Sequence, residues 1–165
     1  MRRIAVIGCG GAGKSTFSRR LGEILGLPVT HLDRLFWRPG WVPTERAEWR
    51  RIQRGLVAAD RWILDGNYGG TMDIRLAAAD TVILLDFPRR TCLRRALRRT
   101  IRGGEQAPGC PERFDPEFLR WIWTWPHAGR RRMFAHLAEH GGGTRQILLS
   151  SPREAAAYLA RVRSR

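Results

Sequence analysis

Lysine is nearly missing from this chain: of 30 basic residues, Lys14 is the only lysine and the rest are arginine. A lysine kept against so strong a bias asks for a chemical reason. Acidic residues are also scarce, 15 against those 30, and the formal charge is +15. A field of that sign draws polyanions such as nucleic acid, acidic lipid or nucleotide phosphates. Cysteine is limited to Cys9, Cys92 and Cys110, an odd number without Cys-x-x-Cys spacing, which argues against a disulfide framework and a zinc site. They read as free thiols of a reducing compartment. Long apolar runs are absent too. The stretch Thr81 to Phe87 is far short of the roughly 20 residues a bilayer demands. Met1-Arg2-Arg3 leads into a strand-like segment rather than a signal peptide. The expectation is a cytoplasmic protein with no membrane partner.

What remains is ordinary for a globular chain: 43% hydrophobic and 27% charged residues in a length of 165. That length suits one domain, residues 1–165, in which roughly 70% of the unfolded surface can be buried.

The most informative segment lies near the start. Ile4-Ala5-Val6-Ile7 is a short apolar, β-rich run, followed by Gly8-Cys9-Gly10-Gly11-Ala12-Gly13-Lys14-Ser15-Thr16 and a helical pattern through Leu25. Strand, GxxxxGKS and helix in this order form a P-loop. Its glycines let successive backbone N–H groups turn inward at a helix N-terminus, a concave site for phosphate oxygens of ATP or GTP. Lys14 reaches the β- and γ-phosphates as a compact charge, and the Ser15 hydroxyl is placed to ligate Mg²⁺. An ammonium in this place is poorly replaced by a planar guanidinium, which explains why this one lysine stands among arginines. Cys9 reads as a small loop residue, or as a thiol whose pKa the helix start lowers.

Further along, Pro28 to Leu32 reads as a strand ending at Asp33, and Phe36 to Pro43 as a loop. Thr44 is placed to cap a helix running to about Ala59. Arg61 to Leu64 is a strand that stops at Asp65-Gly66-Asn67, Thr71 to Ala79 a short helix, and Thr81 to Phe87 a buried strand. Arg89 to Arg102 is an arginine-rich helix whose apolar stripe is Leu93, Ala96, Leu97, Thr100 and Ile101. Gly103 to Asp115 reads as a loop. Asp115-Pro116 opens a helix through the Trp121, Trp123 and Trp125 cluster, and Pro126 to His140 continues helically until Gly141-Gly142-Gly143. Gln146 to Leu149 is a last strand, and Ser151-Pro152-Arg153-Glu154 is a capping box before the terminal helix. Strands alternating with helices imply an α/β fold with a parallel sheet covered on both faces.

The chain resembles the P-loop kinases related to adenylate kinase, and more closely the DNA topology modulation proteins. The resemblance spans nearly the whole length and rests on GCGGAGKST at 8–16, HLDRLFWRPGW at 31–41, ILDGNYGGTMDIRL at 63–76, LLDFPRR at 84–90 and GCPERFDPEFLRWIW at 109–123. The first motif is shared widely; the second, third and last are narrower. What the resemblance implies is a three-layer P-loop NTPase fold, a five-stranded parallel sheet with the P-loop after its central strand, and a helical lid at about 94–132. One departure stands out. Adenylate kinases carry Asp-Gly-Phe-Pro-Arg after the third strand, whereas this chain has Asp65-Gly66-Asn67-Tyr68-Gly69, without the arginine that grips an acceptor nucleotide.

Asp33 follows a strand, where sheet C-terminal ends face the ligand crevice. By resemblance it is a general base or metal partner; otherwise it caps a loop. Asp65 is, on the same footing, the carboxylate that holds Mg²⁺, or else half of a turn-forming Asp-Gly pair. Asp86 ranks below it. Arg98, Arg99, Arg130 and Arg131 are candidates to neutralise charge on a transferring phosphoryl group, or simply a solvated basic face. His31 and Tyr68 are candidates to line an acceptor pocket, and the Trp cluster is lid core or a base-stacking platform. The leading expectation is therefore an ATP-dependent phosphotransferase acting on a small nucleotide, nucleoside or other hydroxyl or phosphate acceptor. The alternative is a nucleotide-regulated, DNA-associated protein without appreciable turnover, although no helix-turn-helix or zinc-finger pattern is present.

Overall fold

The computed structural model describes residues 1–164. The chain begins with β1 (Arg3–Gly8), α1 (Lys14–Leu25), β2 (Val29–His31), α2 (Asp33–Phe36), β3 (Trp37–Arg38), β4 (Val42–Pro43) and α3 (Arg46–Val57). It continues with β5 (Trp62–Asp65), a 3₁₀ turn (Gly69–Thr71), α4 (Met72–Ala78), β6 (Thr81–Leu85) and α5 (Arg89–Arg102). The last part holds β7 (Glu105–Ala107), β8 (Cys110–Pro111), α6 (Pro116–Thr124), α7 (Gly129–His140), β9 (Arg145–Leu149) and α8 (Pro152–Arg163).

Five strands form one sheet in the order β2-β5-β1-β6-β9, and every pairing in it is parallel. The three inner strands are near-continuous apolar runs. Ile4 to Ile7, Ile63 to Leu64 and Val82 to Leu85 are each at most 3% exposed. Parallel strands buried on both faces require such runs, and each large side chain so placed contributes about 1.5–3 kcal/mol. On the sheet's faces α1 packs with α8, and α4 packs with both α3 and α7. The result is the expected three-layer α/β architecture. Because the chain leaves central β1 on one side and later crosses to β6 on the other, a crevice opens above the C-terminal end of β1. No helix among the described residues is long and apolar enough to cross a membrane.

Several local expectations need correction. The two segments read as loops each hold a short antiparallel hairpin, β3–β4 and β7–β8. They dock on one another: Gly40 N–H donates to Gly109 O at 2.9 Å, and the Trp41 indole N–H to Pro111 O at 3.2 Å. Pairs of strands this short carry too little periodicity to be seen in sequence, and here hydrogen bonds join the two hairpins.

The cap of α3 is Glu45, whose carboxylate accepts from the Ala47 and Glu48 amides at 2.8 and 3.0 Å. Thr44 donates instead to Phe36 O at 2.7 Å. The buried stripe of α5 matches the expected one only in part. Ala96 is buried and Leu93 packs against the core as expected, but Cys92 is buried too, whereas Leu97 is 39% and Ile101 84% exposed. The Cys92 backbone on the inner face of this helix lies directly against Gly11 of the P-loop. Finally, α6 and α7 are separate helices, because Pro126 has no N–H to continue the ladder.

Candidate functional site

The first carbonyls and amides after β1 wrap into a closed loop. Gly11 at φ +75° and Gly13 at φ +90° occupy the left-handed region, which L side chains adopt at a cost of roughly 1–2 kcal/mol. Space gives a second reason at Gly11: a Cβ there would lie 2.2 Å from the Cys92 carbonyl oxygen. Gly13 precedes α1 and supplies no side-chain cap, so the first N–H groups of that helix stay open to an anion.

Lys14 Nζ donates to the carbonyls of Gly8 and Cys9 at 3.1 and 3.0 Å, which folds the ammonium back over the loop. The Ala12 carbonyl accepts from Arg95 of α5 at 2.9 Å. Cys9 is 1% exposed and serves as a small packing residue. A hydrogen bond with Cys92 and burial both push its thiol pKa up, the opposite of an activated nucleophile.

A buried carboxylate lies beside this loop. Asp65, at the end of β5 and 2% exposed, accepts from the Ser15 hydroxyl at 3.2 Å and meets His31 Nδ1 at 2.5 Å. The Asp65 hydrogen bond raises the His31 pKa, an effect that burial opposes. Parallel register explains the meeting: His31 of β2 pairs with Asp65 of β5, which in turn pairs with Val6 of β1 just before the P-loop.

The second carboxylate, Asp33, begins α2 and is held at both oxygens. The Tyr68 hydroxyl donates to Oδ1 at 2.5 Å, and Gln106 Nε2 of β7 donates to Oδ2 at 2.9 Å. Tyr68 is one of two non-glycine residues described at positive φ, at +32°. Its ring packs on Phe36 and Trp49, with centroids 4.6 and 5.0 Å away. Burial first, then the nearby Asp33 charge, push the phenol pKa upward, so Tyr68 stays a proton donor. The loop that carries it is tied to the P-loop through Asn67, whose Oδ1 accepts from Gly8 N–H at 3.0 Å. Its carbonyl accepts from the buried Arg75 at 2.6 Å. Burial lowers the Arg75 pKa to about 10.

Lys14, Ser15, Thr16, His31, Asp33 and Arg98 line a common cavity of about 830 Å³, enough for a nucleotide and a small second molecule. Arg20, Arg34, Arg95, Arg99 and Arg102 add to its positive wall, against Asp33, Glu105 and Glu112. Asp65 lies below the floor, reached through Ser15 and His31. Arg130 does not line the cavity: its Nε donates to Asp86 at 2.8 Å. Arg131 donates to the His127 carbonyl. The Trp cluster divides. Trp125 is buried, Trp121 and Trp123 are half exposed, and Trp121 stacks on Phe118 at 5.8 Å against Gly10.

Sequence reasoning had not singled out Arg95, Asn67, Gln106 or Arg75 for a role. Asn67 and Arg75 fall inside the motif at 63–76, which is the available signal. Gln106 and Arg95 had none, since only packing of the hairpin and α5 brings them to the site.

No protein-family profile matches the chain, and no curated protein matches it. Solved structures do. A shikimate kinase from Acinetobacter baumannii in complex with shikimate is 16% identical, with 98% of this chain and 90% of that chain covered and a TM-score of 0.69. A shikimate kinase from Bacteroides thetaiotaomicron is 17% identical over 99% and 96%, with a TM-score of 0.58. A gluconokinase from Sinorhizobium meliloti 1021 is 20% identical over 99% and 94%, with a TM-score of 0.56. At these identities the likeness establishes the fold alone, the three-layer α/β architecture that these structures share. The resemblance to DNA topology modulation proteins has no matching profile behind it.

Proposed function

We propose that the chain is an ATP-dependent phosphotransferase that phosphorylates a hydroxyl of a small acceptor. The observation that carries this reading is the convergence on one cavity of a P-loop with its lysine, the Ser15–Asp65 pair, and a second carboxylate, Asp33. A site that only held nucleotide would have no use for Asp33 fixed at both oxygens.

In this reading the backbone from Gly8 to Thr16 and Lys14 hold the triphosphate of ATP, or of GTP. Ser15 and Asp65 fit Mg²⁺, because a hydroxyl and a buried carboxylate 3.2 Å apart offer the oxygen donors a hard cation takes. When bound, that ion would neutralise charge on the phosphates. Asp33 accepts the proton of the acceptor hydroxyl as its oxygen forms a bond to the γ-phosphorus, while the bond from that phosphorus to the bridging oxygen breaks and ADP leaves. Tyr68 and Gln106 orient Asp33 for this. Arg95, Arg98, Arg99 and Arg102 face the phosphates as a preorganised positive wall. The segment 94–132 acts as a lid of the single domain, and Arg130 is released from Asp86 to reach the cavity when the lid rearranges.

The acceptor follows from the charge of that wall and from the neighbours, whose names include shikimate kinases and a gluconokinase: a hydroxylated, anionic small molecule. ADP formation is measured with Mg-ATP and a panel of sugar acids, cyclic hydroxy acids, nucleosides and nucleoside monophosphates. Turnover with one class, lost in Lys14→Ala and in Asp33→Asn, is expected; no acceptor-dependent ADP above the Lys14→Ala background overturns the proposal. A DNA-associated role rests on the charge of +15 alone. Duplex affinity that vanishes near physiological salt would reduce it to nonspecific attraction.

A further inference from the structure

The last two turns of α7 carry a cluster that the phosphotransferase reading leaves unused. His136, Glu139 and His140 are spaced i, i+3 and i+4, which sets all of them on one helical face. One ligand atom from each lies within 4.8 Å of the others. The imidazoles stack with centroids 6.0 Å apart and planes at 25°, and His140 Nε2 is 3.6 Å from Glu139 Oε2. None of the three lines the phosphate cavity.

We propose that His136, Glu139 and His140 form a binding site for a divalent transition-metal ion of the zinc class. The donor set decides the class. Two imidazole nitrogens and one carboxylate oxygen match zinc and its first-row neighbours, whereas Mg²⁺ and Ca²⁺ take oxygen donors. The spacing His-x-x-Glu-His is one that helices use to present two histidines to zinc. The geometry needs only a small adjustment. Ligands about 2.1 Å from a tetrahedral centre stand about 3.4 Å apart. Glu139 Oε2 already stands 3.6 Å from His140 Nε2, and its side chain, 70% exposed, is free to adjust.

A further observation concerns His136. Its Nδ1 is buried and has no hydrogen-bond partner among the described residues. An orphan nitrogen of this kind is costly unless something satisfies it, and a metal ion bound at Nδ1 itself does so. His140 alone has a simpler explanation, since a basic side chain in the last turn of a helix suits its dipole. That explanation covers neither the orphan nitrogen of His136 nor the presence of Glu139 beside both rings. Where α7 packs on the 3₁₀ turn, His136 Nε2 also approaches Gly69. A bound ion would therefore fix the helix end next to the loop that carries Tyr68.

The test is calorimetric titration of Zn²⁺ into the full chain without nucleotide. Wild type, His140→Ala, His136→Gln and Asp65→Asn are compared, with circular dichroism to verify folding. The Asp65 variant separates this site from the pair Ser15–Asp65 and its neighbour His31. One equivalent is expected in wild type and in Asp65→Asn, weakened at least about tenfold in each histidine variant. His140 is at the helix end and partly exposed, so its variant keeps the test interpretable if His136→Gln fails to fold. No binding at about 0.1 mM Zn²⁺, binding that neither histidine variant weakens, or binding lost in Asp65→Asn overturns the proposal.

Discussion

The Tyr68 hydroxyl donates to Asp33 Oδ1 at 2.5 Å across 35 positions of sequence, from a backbone at φ +32°. A tyrosine in that region costs of order 1–3 kcal/mol, and the conformation persists because Phe36, Trp49 and Asp33 together hold the ring. Tyr68→Phe keeps the ring packing and removes one donor to a carboxylate. Turnover is expected to fall about tenfold, the worth of a hydrogen bond to a charged group at about 1.5 kcal/mol, with the affinity for ATP unchanged. Steady-state kinetics alongside nucleotide calorimetry checks this, and an unchanged kcat would show that Tyr68 does not orient Asp33.

Lys14→Ala removes the one ammonium of the P-loop. Mg-ATP affinity and turnover both drop, turnover by about 10²–10³, as for loss of other preorganised charge stabilisers. Lys14→Arg rescues little, since a guanidinium is larger and planar. Full activity in Lys14→Arg would argue against a point-charge role.

Gly11→Ala meets two obstacles together, a φ of +75° and a Cβ 2.2 Å from the Cys92 carbonyl oxygen. Unfolding free energy is expected to fall by about 2–4 kcal/mol, with nucleotide binding lost. Chemical denaturation gives the first quantity. A change under about 0.5 kcal/mol would mean that the loop and α5 separate readily.

Asp80 pins the start of the sheet, accepting from the Arg2 and Arg3 amides at 2.7 and 2.9 Å and from the Thr81 hydroxyl at 2.7 Å. Burial alone would raise its pKa, but the Thr81 hydroxyl and the two amides outweigh it and hold the carboxyl below its usual range. A depressed carboxyl contributes stability that is present above its unfolded value, about 3.9, and lost as pH falls through the folded value. Asp80→Asn should cost about 1 kcal/mol at pH 7, and the difference from wild type should close as the pH falls through the folded value. Thermal denaturation across that range checks it. A difference that stays constant with pH would assign the loss to shape and not to charge.

The P-loop was legible in sequence because its chemistry is local: adjacent glycines, one lysine and one serine at fixed spacing between an apolar strand and a helix. The inner strands were legible for the same reason, as parallel strands buried on both faces must be apolar throughout. Asp33 and Asp65 were found as strand-end carboxylates. Their partners were not assigned, because Tyr68, His31 and Gln106 reach them only through register and hairpin docking. In the α5 stripe Ala96 was legible, but hydrophobicity also pointed to Leu97 and Ile101, whereas the close approach of Gly11 to the Cys92 backbone turns Cys92 inward.

By itself the sequence determined that this chain carries a P-loop motif, and roughly where its strands and helices run, because the spacing of that motif and parallel-strand burial are written in contiguous residues. Only the tertiary structure decided which side chains face one another: Ser15 with Asp65, Tyr68 with Asp33, Arg130 with Asp86. Those pairs depend on how elements separated by dozens of residues cross and pack, and no local pattern encodes that.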